Sequence, residues 1–282
     1  MSPLTPGFVG EPGATTATPA GIPTVLPGIH LSRDVQPAAS TARSSAVTTR
    51  ILRPMLSAAE TDALTLSLSI AARSVLFNLP FAILVAWLLT RTRFAGRTVF
   101  DAFVHLPLVL PPVVIGYLLL VLFGIRGPIG GWLHESFGIH LAFTSTGAAL
   151  ATAVMSFPLV VRSIRLSLEA LDGGLEDAAR TLGAGASDRF LSITLPLITP
   201  GILAGAVTAF AAGLGEFGAV ITFASNIPGE TRTLPLALYT ALQTPDGDSL
   251  AGRLALISFS LGLAGLLVAE FLSRALRVRL GR

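Results

Sequence analysis

Glu216 is the acidic residue whose surroundings single it out, because it lies between Gly215 and Gly218 in a long apolar stretch. A carboxylate in such a stretch is by default a candidate for function. Because it would repel an oxyanion, we expect it to cap a broken helix or to pair with an arginine instead. A lone histidine such as His105 is more often a hydrogen-bonded packing residue than a ligand.

The rest of the sequence offers little chemistry. It contains no His/Asp/Glu cluster at metal-ligand spacing and no nucleophile elbow, so we expect no catalytic residue, metal site or cofactor. Cysteine is absent, which excludes disulfides and Cys-ligated metals. All 19 basic residues are arginines. A P-loop ATPase needs a Gly-Lys-Ser/Thr motif, so energy from ATP would have to come from a partner.

The composition is that of an integral membrane protein. Hydrophobic residues make up 52% of the chain and charged residues only 12%, with a mean hydropathy of +0.74. Soluble domains carry about 25% charged residues. We therefore expect a lipid bilayer around the chain and no nucleic acid as partner.

Five segments are apolar enough to cross a membrane, since a spanning helix needs about 20 such residues. The fourth is too long for one straight span and is interrupted at Gly213–Gly215, so we expect a helix followed by a broken or re-entrant half. The fold class predicted is an all-α membrane protein. The five segments run from about Leu64 to Thr90, Val99 to Phe123, Phe143 to Val161, Leu195 to Ser225 and Leu254 to Phe271.

Arginine placement predicts the orientation, because positively charged residues stay cytoplasmic. Eleven arginines lie in one set of loops and three in the alternate set. The N-terminus is therefore expected outside and the C-terminus in the cytoplasm. The larger set is Arg91, Arg93, Arg97, Arg162, Arg165, Arg180, Arg189, Arg274, Arg277, Arg279 and Arg282, and the smaller set is Arg126, Arg232 and Arg253.

Three prolines, Pro107, Pro111 and Pro112, interrupt the second segment. Backbone carbonyls freed by proline are tolerated in a membrane where protein or a water-filled cavity satisfies them, and broken helices often line transport sites. The prolines therefore mark either a translocation path or a packing kink.

The longest polar interruption among the apolar segments is Asp172–Pro196, which begins with the pattern of a short surface helix. Glu176 and Arg180 have the spacing of a favourable i,i+4 ion pair, and Gly183 stands where a left-handed C-cap is expected. The helix either fits a shallow groove on a partner or covers this protein's own surface. Its small apolar stripe is Leu175, Ala178, Ala179 and Leu182.

This interruption resembles the EAA loop of ABC-importer permeases. Asp177-Ala178-Ala179, Gly183 and the run Ile193–Pro196 match the family spacing, with Asp in place of the usual Glu. Two more stretches, His105–Leu120 and Gly215–Thr240, resemble the molybdate branch, and the likeness covers roughly Ala58 to Arg282.

The resemblance implies the type I, molybdate/maltose-like permease fold in a bacterial inner membrane. It implies a homodimer that docks on a cytoplasmic ABC ATPase dimer and receives molybdate from a periplasmic binding protein. The residues it points to for coupling are Glu176, Asp177, Ala178, Ala179, Arg180, Thr181, Leu182 and Gly183. The candidates for the path or gate are Pro107, Pro111, Pro112, Glu216, Phe217, Gly218 and Asn226.

Two other functions stay open at this point. One is a permease of the same fold for sulfate or tungstate, and the other is a membrane protein that does not transport, such as a scaffold or an enzyme.

The spans show no cluster of anion donors, so we expect substrate discrimination to reside mainly in the binding protein.

Residues 1–57 form a separate region rich in Pro, Ala, Ser and Thr, without an apolar period. This composition predicts disorder, and the region has no signal-peptide pattern. Met55 stands just before the first span, so an alternative start there is expected to suffice. The permease domain is expected at 58–282, with its coupling loop at 172–196.

Overall fold

The computed structural model describes residues 56–279, and every regular element within that range is helical. All of the predicted N-terminal region except Leu56 and Ser57 lies outside the described residues. The helices up to the polar interruption are α1 (Ala58–Arg91), α2 (Arg97–His105, continued by a 3-10 turn to Leu108), α3 (Pro112–Phe123), α4 (Pro128–Phe137) and α5 (Ser145–Glu169). The others are α6 (Gly173–Thr181), α7 (Ala186–Arg189, followed by a π-helical segment Phe190–Thr194), α8 (Leu195–Leu214), α9 (Gly218–Phe223), α10 (Leu234–Leu242) and α11 (Asp248–Arg279).

The first span begins earlier than its apolar run. The Ser57 hydroxyl accepts the Glu60 amide, and the Glu60 carboxylate accepts the Ser57 amide, so the two residues form a capping box. The helix therefore starts at Ala58 rather than near Leu64. A search for apolar length does not detect the polar first turns.

The second predicted span is not one helix. Residues Arg97–Leu108 and Pro112–Phe123 form two pieces bent by 111° at the break. Pro111 precedes the second piece, which restarts with Pro112 at its first position, where proline is favoured. The predicted interruption of this segment at its prolines is confirmed, and the structure adds the angle between the two pieces.

The third and fifth spans overlap their predicted ranges and are longer, whereas the fourth begins nine residues earlier and ends eleven residues earlier than predicted. Ser145–Glu169, Ala186–Leu214 and Asp248–Val268 are each long and apolar enough to cross a membrane, as is Ala58–Arg91. With the bent pair counted as one, the described residues hold five candidate spans. The predicted interruption of the fourth span is confirmed, since α8 ends at Leu214.

Helix α5 lies at the centre and packs against both α1 and α8. Small residues allow close approach: a methyl group added at Gly205 of α8 would lie 3.1 Å from the Cβ atom of Ser163. The Ser163 hydroxyl donates to the Gly201 carbonyl at 2.9 Å. Small residues and interhelical hydrogen bonds are the usual means of packing helices in membranes.

Candidate functional site

The short helix α6 is held by its own local chemistry. The Asp172 carboxylate accepts the Gly174 amide at 2.9 Å and caps the start. At the end, the Ala184 amide donates to the Ala179 carbonyl at 3.0 Å, and the Gly183 amide donates to the Arg180 carbonyl at 3.1 Å. These two bonds form a Schellman motif. Gly183 has φ +88°, so the predicted left-handed C-cap is confirmed.

The apolar stripe of α6 faces outward. The exposed fraction is 51% for Leu175 and 88% for Leu182. Ala178 is exposed and Ala179 is half-buried. Fully burying a leucine side chain contributes about 1.5–3 kcal/mol, so this surface gains from being covered by another protein.

Glu176 points the other way, towards the spans. Its Oε1 atom accepts a hydrogen bond from Arg91 Nη2 at 3.0 Å and another from the Thr194 hydroxyl at 2.8 Å. The expected Glu176–Arg180 pair is therefore wrong. Arg180 pairs instead with Asp177 at 3.3 Å, and both side chains are 69% exposed. Helical spacing permits an i,i+4 pair, but it cannot reveal a partner elsewhere in the chain.

The eight predicted coupling residues thus divide into two groups. Glu176 and Ala179 are partly buried, and the other six form one continuous exposed surface. That exposed set is Asp177, Ala178, Arg180, Thr181, Leu182 and Gly183.

The two broken spans meet each other. A Cβ atom added at Gly218 would lie 2.8 Å from Pro112 Cβ, and one added at Gly116 would lie 2.7 Å from Thr222 Cβ. Helices α3 and α9 therefore approach closely along glycines. Pro111 and Phe217 flank this contact in the sequence, and the Phe217 ring packs on Tyr239 with centroids 5.2 Å apart.

The other predicted path and gate residues are Pro107, Glu216 and Asn226. Pro107 lines an apolar cavity of about 380 Å³ together with phenylalanines of α1, α2 and α5. Glu216 accepts the Ala219 amide at 2.9 Å and so caps the short helix α9, the first of the two roles expected for it. Asn226 belongs to the loop before α10.

Side-chain hydrogen bonds hold that loop, Ser225–Thr233, together. The Asn226 amide donates to the Thr240 hydroxyl at 2.8 Å and accepts from Arg232 at 2.9 Å. The fully buried Thr231 accepts the Ile227 amide at 2.9 Å. Next to the loop, the Leu234 amide donates to the buried Ser67 hydroxyl at 2.7 Å.

The sequence analysis missed a charged cluster that joins α2 to α5. Arg165 donates to both carboxylate oxygens of Asp101, at 2.8 and 3.0 Å, and to Glu169 at 3.0 Å. His105 Nδ1 lies 2.9 Å from the Asp101 carbonyl, as expected for a hydrogen-bonded packing histidine. The sequence did contain a signal for this cluster, because an ionisable residue such as Asp101 within an apolar segment is a candidate for function. Among the described residues, no group of three or more His, Asp or Glu side chains is placed to hold a metal.

Comparison with known proteins gives a consistent result. Residues 78–278 match the family "Binding-protein-dependent transport system inner membrane component". The chain is 59% identical over 223 residues to the molybdenum transport system permease protein ModB of Escherichia coli (strain K12), covering 79% of this chain and 97% of that protein. The sulfate transport system permease protein CysT of the same organism is 40% identical over 207 residues, covering 73% of each chain.

A solved structure shares the fold. A bacterial ABC transporter involved in the import of the acidic polysaccharide alginate superposes with a TM-score of 0.63 at 16% identity, covering 84% of this chain and 90% of that one. A second structure contains the alginate transporter in complex with its alginate pentasaccharide-bound periplasmic protein, with a TM-score of 0.63 at 18% identity, covering 78% and 80%. The ABC-importer permease fold predicted from the sequence is confirmed.

Proposed function

This chain belongs to the family of binding-protein-dependent transport system inner membrane components, and we propose that it is the permease subunit of an ATP-driven molybdate importer. It is not an enzyme; ATP is hydrolysed by a separate subunit. The observation that supports molybdate as the substrate is the identity to ModB, 59% over 97% of that protein. Identity to the sulfate permease is 40% over 73%.

The exposed surface of α6 is the docking site for a cytoplasmic ABC ATPase. Three features support this: the exposed leucines, a helix end fixed by Gly183, and the absence of lysine that excludes a P-loop in this chain. When two ATPase subunits close on ATP, the α6 helices of two permease copies move together. The spans on either side then rock and open the path outward.

A second copy of this chain completes the path. An ABC ATPase dimer presents two equivalent sites, so a homodimer with the path on its two-fold axis is the matching arrangement. The contact between α3 and α9, where Pro112 meets Gly218, is the proposed wall of that path. Glycine and proline there bring the two short helices together without bulky side chains.

On the opposite face, the loop Ser225–Thr233 receives a periplasmic molybdate-binding protein. Its tip at Ile227–Glu230 is exposed. The placement of α6 in the cytoplasm follows from the arginine distribution, which also puts the N-terminus outside and the C-terminus inside. The Arg91–Glu176 ion pair supports a common side for the end of α1 and for α6.

The test is uptake by proteoliposomes that contain this chain, its ATPase and its binding protein, with molybdenum and sulfur measured by mass spectrometry. We expect ATP-dependent uptake of molybdate and little uptake of sulfate, with tungstate as competitor. Uptake of sulfate at the same rate as molybdate would contradict the proposed substrate.

Discrimination belongs to the binding protein rather than to this chain. The same proteoliposomes test this, because permease variants at Pro112, Phe217 and Asn226 can be compared with the binding protein unchanged. We expect lower rates and an unchanged preference. A single permease substitution that switched uptake from molybdate to sulfate would overturn this proposal.

A further inference from the structure

We infer that Glu176 is a positioning residue that fastens the coupling helix α6 to two spans, so that motion of α6 reaches α1 and α8 through one carboxylate oxygen. The inference rests on the proposed function and goes beyond it by separating the residues that touch the ATPase from the residue that transmits the movement.

The geometry of the joint converges on Glu176 Oε1. Arg91, which donates at 3.0 Å, is the last residue of α1. Thr194, which donates at 2.8 Å, ends the π-helical segment that leads into α8. Thr194 is 3% exposed, and the charged side chains of Arg91 and Glu176 are 27% and 29% exposed. Charge-assisted hydrogen bonds are about twice as strong as hydrogen bonds between neutral groups.

Helix α6 follows α5 in the chain and contacts the beginning of the span Ala186–Leu214, so what Glu176 adds is a side-chain link to α1. Each of its nine residues is at least partly exposed, and it packs on α7 and the π-helical segment. Its capping bonds lie within the segment Asp172–Ala184 itself. These bonds shape α6 but do not attach it to the membrane helices. The bond from Arg91 joins residues 85 positions apart and attaches α6 to α1.

The space beside the joint is not filled by side chains. Leu84 and Trp87 of α1 line one open cavity of about 590 Å³ together with Phe190 of the π-helical segment. Glu176 and Thr194 line the same cavity, so the joint borders it. Short π-helical segments inside α-helices occur frequently at functional sites, and this one lies directly at the joint.

The experiment uses Glu176→Gln in the complete importer, reconstituted with ATPase and binding protein. Glutamine keeps the size of the side chain and one acceptor oxygen but removes the charge that holds Arg91. We expect the ATPase to copurify and hydrolyse ATP as with the wild type, while the molybdate transported per ATP hydrolysed falls by about fivefold or more, within the usual range of coupling between sites.

Three further variants distinguish a joint from a merely structural residue. Thr194→Val, which removes one donor, should lower the same ratio, and Thr194→Ser should restore it. The double variant Arg91→Gln with Glu176→Gln should be no worse than Glu176→Gln alone, because both changes break one interaction. Asp188→Asn is the matched control, since Asp188 accepts from Ser192 only four residues away.

Each outcome decides the inference. A wild-type ratio in Glu176→Gln overturns it, and so does loss of ATPase association, which would place Glu176 in the docking surface itself. If the wild-type importer moves no molybdate, the proposed function fails instead, and that result is seen before any variant is made.

Discussion

Two short connections, the proposed coupling segment Asp172–Gly185 and the proposed external loop Ser225–Thr233, are stabilised in different ways. Both contain a glycine with positive φ, +88° at Gly183 and +75° at Gly229. In the coupling segment, backbone bonds and one local cap define the helix, and its leucines are exposed. In the external loop, local backbone bonds to the Ile227 carbonyl are joined by those of the buried Thr231 hydroxyl to the backbone, while the Asn226 side chain links Arg232 to Thr240.

The difference separates two kinds of sensitivity. A segment shaped mainly by local backbone bonds depends less on distant residues for its form and leaves its outward side chains for a partner. A loop shaped by buried side-chain bonds depends on distant residues for its form. Substitutions in the coupling segment should therefore affect coupling more than stability, and substitutions around the external loop should do the reverse.

The largest effect is expected for Gly183→Val. Non-glycine residues pay about 1–2 kcal/mol in the left-handed region, and a β-branched side chain there unwinds the end of α6. We expect molybdate uptake to be abolished while expression and membrane insertion remain. Gly185→Ala is the control, because Gly185 has φ −64° and open space around it. Uptake by Gly183→Val at the wild-type rate would refute the role of this cap.

A smaller effect, on stability rather than on coupling, is expected for Ser67→Ala. This change leaves the buried amide of Leu234 without its acceptor, which costs about 1–3 kcal/mol. Thermal unfolding in detergent should occur at a lower temperature, while ATPase pull-down remains unchanged. Ser69→Ala, two residues away on the exposed side, should change stability by about 0.5 kcal/mol or less. Loss of ATPase association in Ser67→Ala would contradict the expectation that substitutions around the external loop affect stability rather than coupling.

A chain that starts at Met55 should insert and transport normally. It retains the Ser57–Glu60 capping box, so α1 begins with its own stabilising bonds. Membrane fractionation and molybdate uptake measure this, with the full-length chain alongside. Failure to insert would show that residues 1–54 are required.

The smallest effect is expected for Asp177→Glu, which restores the usual residue of the family. Asp177 is 69% exposed and pairs only with Arg180, an exposed pair worth about 0.2–1 kcal/mol. Uptake should stay close to that of the wild type, because even complete loss of such a pair changes an equilibrium by at most about fivefold. A large loss would mean that the length of this side chain matters at the ATPase surface.

Much of the fold and part of the site could be predicted from the sequence, because those features depend on neighbouring residues. Apolar length located the spans, and the glycine after a short amphipathic pattern located the left-handed cap at Gly183. Local patterns miss contacts between distant residues. Arg91 with Glu176, and Pro112 with Gly218, meet only through tertiary packing. Helices α4 and α10 were also missed, since they are shorter than a span.

The central claim is that α6 is a docking surface, and ATPase pull-down from detergent extracts tests it most directly, together with ATP hydrolysis stimulated by the binding protein. Ala179→Trp fills a half-buried position of the stripe, and Ala178→Trp fills an exposed one, where this chain alone has room for it. A large side chain in a packed interface costs about 1–3 kcal/mol. We expect both variants to insert in the membrane but to lose the ATPase or its stimulation. Full association and stimulation in both would show that α6 is a solvated loop helix.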